Sequence, residues 1–298
     1  MQDILIIESF SQFNTLRGYI TLHPLANVVD LSKSKPIQNA RVHIDRYSVA
    51  LKEAVCGDLK YGCNYYDYQE GTLVFMAPGQ VIGINNDIEN FHPKGLGLFF
   101  HPDLIRGTSL GRNIKEYTFF SYSSNEALHV SEREKQIILE GIKKIEYELK
   151  QSIDKHSKKL IVSNIELLLN YCMRFYDRQF ITRSHVNKDI LVKFENLLDN
   201  YLKSEMKKTT GLPTVKYCAD QLHLSANYFG DLIKKETGRS AQEHIQLKLI
   251  DIAKERIFDT SKSVSEIAYE LGFKHPQHFS RMFKNETGYT PNEYRSLN

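Results

Sequence analysis

Cysteine is scarce in this chain and nowhere closely paired: there are four, Cys56, Cys63, Cys172 and Cys218, with no CxxC spacing. That excludes a dense disulfide framework and reads as reduced thiols in a cytosolic protein. Long apolar runs are also lacking. No stretch reaches the ~18–20 apolar residues of a membrane-spanning helix. Asp3, Glu8 and Arg17 break up the apolar start that a signal peptide would need. The expectation is a soluble, cytoplasmic protein with no membrane contact. Catalytic patterns are missing too: no Ser/His/Asp arrangement, glycine-rich phosphate loop or paired-carboxylate motif stands out, so neither an enzyme nor a cofactor is expected. Charge of one sign is barely in excess, with 39 basic and 36 acidic side chains and a net charge of +3. Residues 181–298 hold 18 of the basic and 15 of the acidic groups, so the whole excess lies there. A bias of that size fits a nucleic-acid binder without pointing to one by itself.

What the chain does have is a short pattern written twice between Thr214 and Arg295. The first copy reads Ala219-Asp-Gln-Leu222-His-Leu224, then Tyr228-Phe229, then Lys234-Lys235-Glu236-Thr237-Gly238. The second reads Ala268-Tyr-Glu-Leu271-Gly-Phe273, then His278-Phe279, then Lys284-Asn285-Glu286-Thr287-Gly288. Ala219 to Ala268 and Leu222 to Leu271 are 49 apart, whereas Phe229 to Phe279 and Gly238 to Gly288 are 50 apart. The second copy therefore carries one extra residue between Leu271 and Phe279. A fixed period of this kind is the sequence mark of a repeated supersecondary unit.

Each copy predicts two short helices around a tight turn. Ser263-Val-Ser-Glu266 has capping-box spacing, with Ile267, Ala268 and Leu271 on one helical face behind it. Gly272 suits the turn because it takes positive φ without a Cβ clash. His275-Pro276 opens the next helix with proline in the first turn, where its missing N–H costs nothing, and Gly288 closes that helix. Copy one has Ser225 as N-cap and Gly238 as its stop, but His223 stands where Gly272 stands in copy two. Ala219 and Ala268 are small enough to let the helices of each motif cross closely. This is helix-turn-helix grammar.

At these residues the chain resembles a family, the AraC/XylS-type transcription regulators. The resemblance is carried by Glu266-Ile-Ala-Tyr-Glu-Leu-Gly-Phe273, His278-Phe-Ser-Arg-Met-Phe-Lys284 and Thr287-Gly-Tyr-Thr-Pro-Asn-Glu-Tyr-Arg295, and it is close over about a third of the chain. It implies double-stranded DNA and RNA polymerase as partners, and an activator role. It also implies that an N-terminal sensor domain precedes the DNA-binding one.

At 298 residues there is room for two or three domains. Residues 1–125 are rich in aromatic and β-branched side chains broken by turn signals. Tyr47, Val49 and Leu51 alternate with polar neighbours as in a half-buried strand, and Leu96, Leu98 and Phe100 alternate in the same way. Gly71 to Gly79 reads as a strand running into a turn, and Asn85-Asn86-Asp87 as another turn. Many short strands at close spacing argue for a barrel or sandwich. The resemblance narrows this to a cupin-like sensor barrel. Tyr65, Tyr66 and Tyr68, with Tyr61, can line a small-molecule effector pocket or be ordinary cross-strand aromatics. A catalytic cupin supplies two histidines and a carboxylate on one strand. Here Arg41-Val-His43-Ile-Asp45 lacks the second histidine, so His23, His43, His92 and His101 read as turn or surface residues and no metal site is expected.

From Ser131 the period changes to about 3.6. Ile138, Ile142, Ile145 and Leu149 form one apolar stripe, and Ile161, Ile165, Leu168, Cys172 and Phe175 form another. Residues 126–180 are expected to be helical. The two stripes can pack on the N-terminal domain or hold a second copy in a homodimer. Gln179 to Lys188 is polar and reads as a linker. The expected fold class is α+β: a cupin-like barrel with flanking helices, then an all-α DNA-binding domain over residues 187–298 with two helix-turn-helix motifs.

Between the copies, Ser240-Ala-Gln-Glu243 opens a long helix that makes the motifs one rigid body. Two recognition helices held this way can enter successive major grooves, ~34 Å apart. In copy two, Phe279, Met282 and Phe283 face the core, leaving Gln277, His278, Ser280, Arg281 and Lys284 outward. Arg281 can pair with guanine and Gln277 with adenine, each worth ~1–3 kcal/mol of discrimination, while Lys284 suits phosphate. The resemblance places its base-contacting positions at Gln277, His278, Ser280 and Arg281. Copy one offers Asn227, Tyr228, Lys234 and Lys235; Gly230 can make no side-chain contact, and Asp231 is repelled by phosphates unless it accepts from cytosine N4 or pairs with a nearby cation. A cupin-type metalloenzyme fused to a DNA-binding domain, and a regulator whose N-terminal domain docks a protein, are the alternatives.

Overall fold

A computed structural model describes residues 4–7, 9–35, 40–53, 71–84, 94–123, 126–204 and 210–297. The chain divides into two compact units, Met1–Thr182 and Arg183–Asn298. Tyr61, Tyr65, Tyr66 and Tyr68, like His92 and Asn85–Asp87, lie outside the described residues.

The first unit contains strands β1 (Ile4–Ile6), β2 (Ala26–Asp30), β3 (Ala40–Ile44), β4 (Tyr47–Glu53), β5 (Thr72–Met76), β6 (Gln80–Ile84), β7 (Lys94–Phe100) and β8 (Leu128–His129). An antiparallel sheet runs β2-β7-β4-β5-β8, and a second runs β1-β3-β6 with β1 parallel to β3. The closed barrel is not formed by the described strands. The larger sheet ends at β2 on one side and on the other at β8, whose two residues are too few to carry the ladder onward.

The one-sided alternation expected of Tyr47–Leu51 also needs correction. Ser48, Val49, Ala50 and Leu51 are all buried, because β4 lies between β5 and β7 and is covered on both faces. On one face Phe99 meets Phe13 of helix α1 (Phe10–Arg17), with ring centroids 4.9 Å apart. On the other, Phe75 packs on Phe119 at 4.4 Å and on Tyr176 at 5.9 Å.

Short helices α2 (Pro102–Ile105) and α3 (Ser109–Asn113) lead to α4 (Glu132–Leu149) and α5 (Ser157–Thr182). A capping box at Ser131–Glu134 starts α4. Every residue of the two predicted stripes is buried within this chain. The stripes are therefore core, and neither is a free face. The polar stretch from Gln179 is helical through Thr182, and its first residue is structural: buried Gln179 accepts the His129 N–H and donates to the Ala127 carbonyl, holding β8. His23 is buried rather than on the surface, its Nδ1 accepting the Leu25 N–H.

The second unit is all helical: α6 (Ser184–Lys203), α7 (Val215–Gln221), α8 (Ala226–Thr237), α9 (Ala241–Ile257), α10 (Val264–Glu270), α11 (Pro276–Thr287) and α12 (Pro291–Arg295). Helix α9 joins the two copies. Its Ile250, Ala253 and Ile257 pack with Ile267, Ala268, Leu271, Phe273, Phe279 and Phe283 in one core. Helix α6 supports the first copy, with Phe194 edge-on to Phe229 at 5.0 Å and 82°.

Candidate nucleic-acid interface

The two motifs repeat each other down to single hydrogen bonds. In copy one, Leu222–Leu224 forms the turn between α7 and α8, and the Leu224 N–H donates to the Ala219 carbonyl at 3.0 Å. In copy two the Phe273 N–H donates to the Ala268 carbonyl, also at 3.0 Å. Ala219 and Ala268 have no exposed surface, as a close helix crossing requires. Gly272 takes φ +94°, and His223, at the matching turn, takes φ +57°. The extra residue of copy two falls at Lys274: partners are 49 apart through Phe273 and 50 apart from the N-caps Ser225 and His275 onward.

The helix ends match as well. Gly238 and Gly288 adopt left-handed φ and return their N–H groups to the Lys234 and Lys284 carbonyls at 2.8 and 2.9 Å. The Thr237 and Thr287 hydroxyls each donate to a carbonyl four residues back, Ile233 and Phe283, both at 2.7 Å. Each glycine is followed by a capping box, Ser240–Glu243 and Thr290–Glu293. The second of these has the Ser/Thr-x-x-Glu spacing and was readable in the sequence. Arg295, part of the stretch that carries the family resemblance, turns inward. Its guanidinium donates to the Ile257 carbonyl at 2.6 Å and the Lys262 carbonyl at 3.0 Å, tying the loop after α9 to α12.

On α11, Phe279 and Phe283 are fully buried and Met282 partly so, as the helical spacing demands. Gln277, His278, Arg281 and Lys284 are exposed on the other side, with Ser280 half-buried. Among the described residues, none hydrogen-bonds or ion-pairs with the side chains of Gln277 or Arg281. The His275 and His278 rings lie 5.4 Å apart at the start of the helix. One face thus presents an amide, an imidazole, a hydroxyl and a guanidinium within two turns, all able to donate to base edges or phosphate.

On α8 the arrangement differs. Phe229, Leu232 and Ile233 are buried, and Asn227, Lys234 and Lys235 are exposed. Tyr228 is not outward: it is only 6% exposed, buried like its neighbour Phe229. Its counterpart His278 is exposed. Gly230 has no atom within 4 Å of where a Cβ would stand, so that position opens outward with nothing to reach with. Asp231, at the place of Arg281, is half-buried and interacts within the protein.

Residues 218–296 match the family described as a helix-turn-helix domain. The uncharacterized HTH-type transcriptional regulator YtdP of Bacillus subtilis (strain 168) is 32% identical over 110 residues, 37% of this chain and 14% of that protein. The HTH-type transcriptional activator RhaS of Enterobacter sp. (strain 638) is 26% identical over 164 residues, 55% of this chain and 56% of that protein. A solved structure of a transcriptional regulator from Chromobacterium violaceum, described as having an AraC-type DNA-binding domain, is 21% identical with a TM-score of 0.32, covering 37% of this chain and 91% of that one. The chain spans less than two thirds of the length of these two curated relatives.

Proposed function

We propose that this chain, whose residues 218–296 match a helix-turn-helix domain family, is an AraC-type, sequence-specific DNA-binding transcription regulator and not an enzyme. One observation carries the reading. Arg281 and Gln277 stand exposed, with no side-chain partner among the described residues, on a recognition helix whose opposite side is locked into the core by Phe279 and Phe283. A guanidinium kept free on a rigid helix is placed for bidentate contact with guanine, and the adjacent amide for adenine. Lys284 supplies charge for phosphate. His278 and Ser280 complete the reading face.

The regulator acts in the cytoplasm as an activator that recruits RNA polymerase, a role supported by the relative named as a transcriptional activator. Its signal is a small molecule bound in the unit Met1–Thr182, with Tyr65, Tyr66 and Tyr68 as contacts. Binding there matters only if the ligand favours one DNA-binding state over the other. The active form is a homodimer. With both helical stripes spent on the core, the second copy is assigned to the outer side of α4 and α5, where Tyr147, Leu160 and Leu167 are 64%, 46% and 51% exposed.

The test is binding of wild type and Arg281→Ala to duplex fragments from upstream of its own and neighbouring genes, at two salt concentrations. Wild type should select one fragment, and the variant should lose the preference while keeping weak, salt-sensitive binding. Equal binding of every fragment by both proteins would remove the base-reading assignment.

A further inference from the structure

We infer that the two motifs divide the labour: copy two reads base sequence, copy one grips the backbone, and the operator has one specified and one tolerant half-site. This rests on the DNA-binding reading above and adds which half of the site carries information. The repeat makes the comparison position by position. Fifty residues apart, Asn227 corresponds to Gln277, Tyr228 to His278, Gly230 to Ser280, Asp231 to Arg281 and Lys234 to Lys284. Copy two keeps a polar side chain at all five positions, four exposed and Ser280 half-buried.

In copy one three of the five are lost as donors to base edges. Tyr228 is drawn into the core. Gly230 has no side chain, although the space outside it is empty. Asp231 carries a carboxylate, which has no proton to donate to the guanine O6 and N7 acceptors and is repelled by nearby phosphates. The base it can accept from most directly is cytosine, through N4–H. Asn227 is left as the one exposed amide, and Lys234 and Lys235 add charge at the far end of α8, where it serves phosphate. Helix α8 is otherwise as well built as α11, with its Ser225 cap and Gly238 stop in place, so copy one is an intact motif that lacks three of the five reading groups.

The experiment is selection by the full-length chain from duplexes randomised over about two helical turns, the span of two adjacent major-groove sites. It is run with wild type, Arg281→Ala, Asp231→Arg and the milder Gly230→Ser. Wild type should enrich one sharply defined half-site containing guanine, beside a second with little preference. Arg281→Ala should flatten the defined half. Asp231→Arg should create a guanine preference of roughly 5- to 150-fold in the other half, the size of one bidentate contact. Gly230→Ser, which adds one hydroxyl to an open position, should sharpen the same half more weakly. Two half-sites equally defined in wild type would overturn the inference while leaving DNA binding intact. So would an Asp231→Arg protein that still binds the defined half and leaves the other unchanged. A wild-type chain that binds no duplex even at low salt would remove the DNA-binding reading itself, and this inference with it.

Discussion

At the scale of single residues, the two turns pose the same backbone demand and meet it differently. Gly272 meets φ +94° without a Cβ, while His223 meets φ +57° with one. For a residue with a Cβ the left-handed region costs roughly 1–2 kcal/mol. Gly272→Ala should therefore destabilise the chain by about that amount, read as a lower thermal midpoint. His223→Gly relieves the strain but adds freedom to the unfolded chain worth about 0.5–1 kcal/mol. Its midpoint should rise slightly or stay level, and a clear fall would show that the His223 side chain contributes something of its own. Gly230 is the control, since it is helical and has empty space where a Cβ would go. Gly230→Ala should stabilise by about 0.5–1 kcal/mol. These turns were legible because the 49-residue offset aligns His223 with Gly272 directly. Tyr228 was not: the alignment gives it the place of exposed His278, but an aromatic ring beside Phe229 gains more by joining the apolar side than by facing water.

At the scale of elements, helix ends in the second unit are fixed by capping boxes at Ser240–Glu243, Ser263–Glu266 and Thr290–Glu293. Each glutamate is held below its ordinary value of 4.5. For Glu266 and Glu293 the backbone N–H of Ser263 or Thr290 is the main cause, and for Glu243 it is the Ser240 hydroxyl. A carboxyl whose folded pKa is depressed adds stability that is complete above the unfolded value and fades as pH falls through the folded one. Thermal midpoints should thus decline as pH drops below about 4.5. Changing the three glutamates to glutamine, which keeps an acceptor but removes the charge, should flatten that decline. An unchanged slope would mean these caps contribute nothing through charge.

Helix α6 belongs to the same level. Phe194 is fully buried against Phe229, and Asn187 donates to Glu236 at 3.0 Å. Phe194→Ala should cost about 3–5 kcal/mol and loosen copy one, measurable as a lower unfolding midpoint and weaker DNA binding. Cap spacing and apolar periodicity made the helical half readable almost element by element, because both signals are local. The sheets were less so. β4 is buried on both faces by partners far away in sequence, and pairing such as β1 with β3 depends on loops whose closure no local pattern encodes.

At the scale of the whole molecule, the helical stripes of α4 and α5 illustrate how one pattern serves two readings. Periodicity shows that a face is buried and leaves open whether its own chain or a second copy buries it. Ile138, Ile142 and Ile145, with Ile161, Ile165 and Cys172, have no exposed surface within a single chain, so the stripes are occupied. A homodimer must then use side chains that a single chain leaves out. On α5, Leu160, Asn164 and Leu167 recur at i, i+4 and i+7 and share one face. Tyr147 of α4 borders the same shallow hollow as Asn164, which joins the two helices into a continuous patch. Lys143 and Lys144 rim it beside Glu148, giving the polar border usual around an apolar contact. Replacing Leu160 and Leu167 together with glutamate removes apolar area from exposed positions, so the fold should survive with unchanged helix content. Sedimentation should then find wild type as a dimer at micromolar concentration and the double variant as a monomer. The variant should still bind a single operator, now more weakly, and lose any advantage on a fragment carrying two. A wild-type monomer under the same conditions would remove the dimer from the proposed mechanism. A double variant that still dimerised would move the contact off α4 and α5.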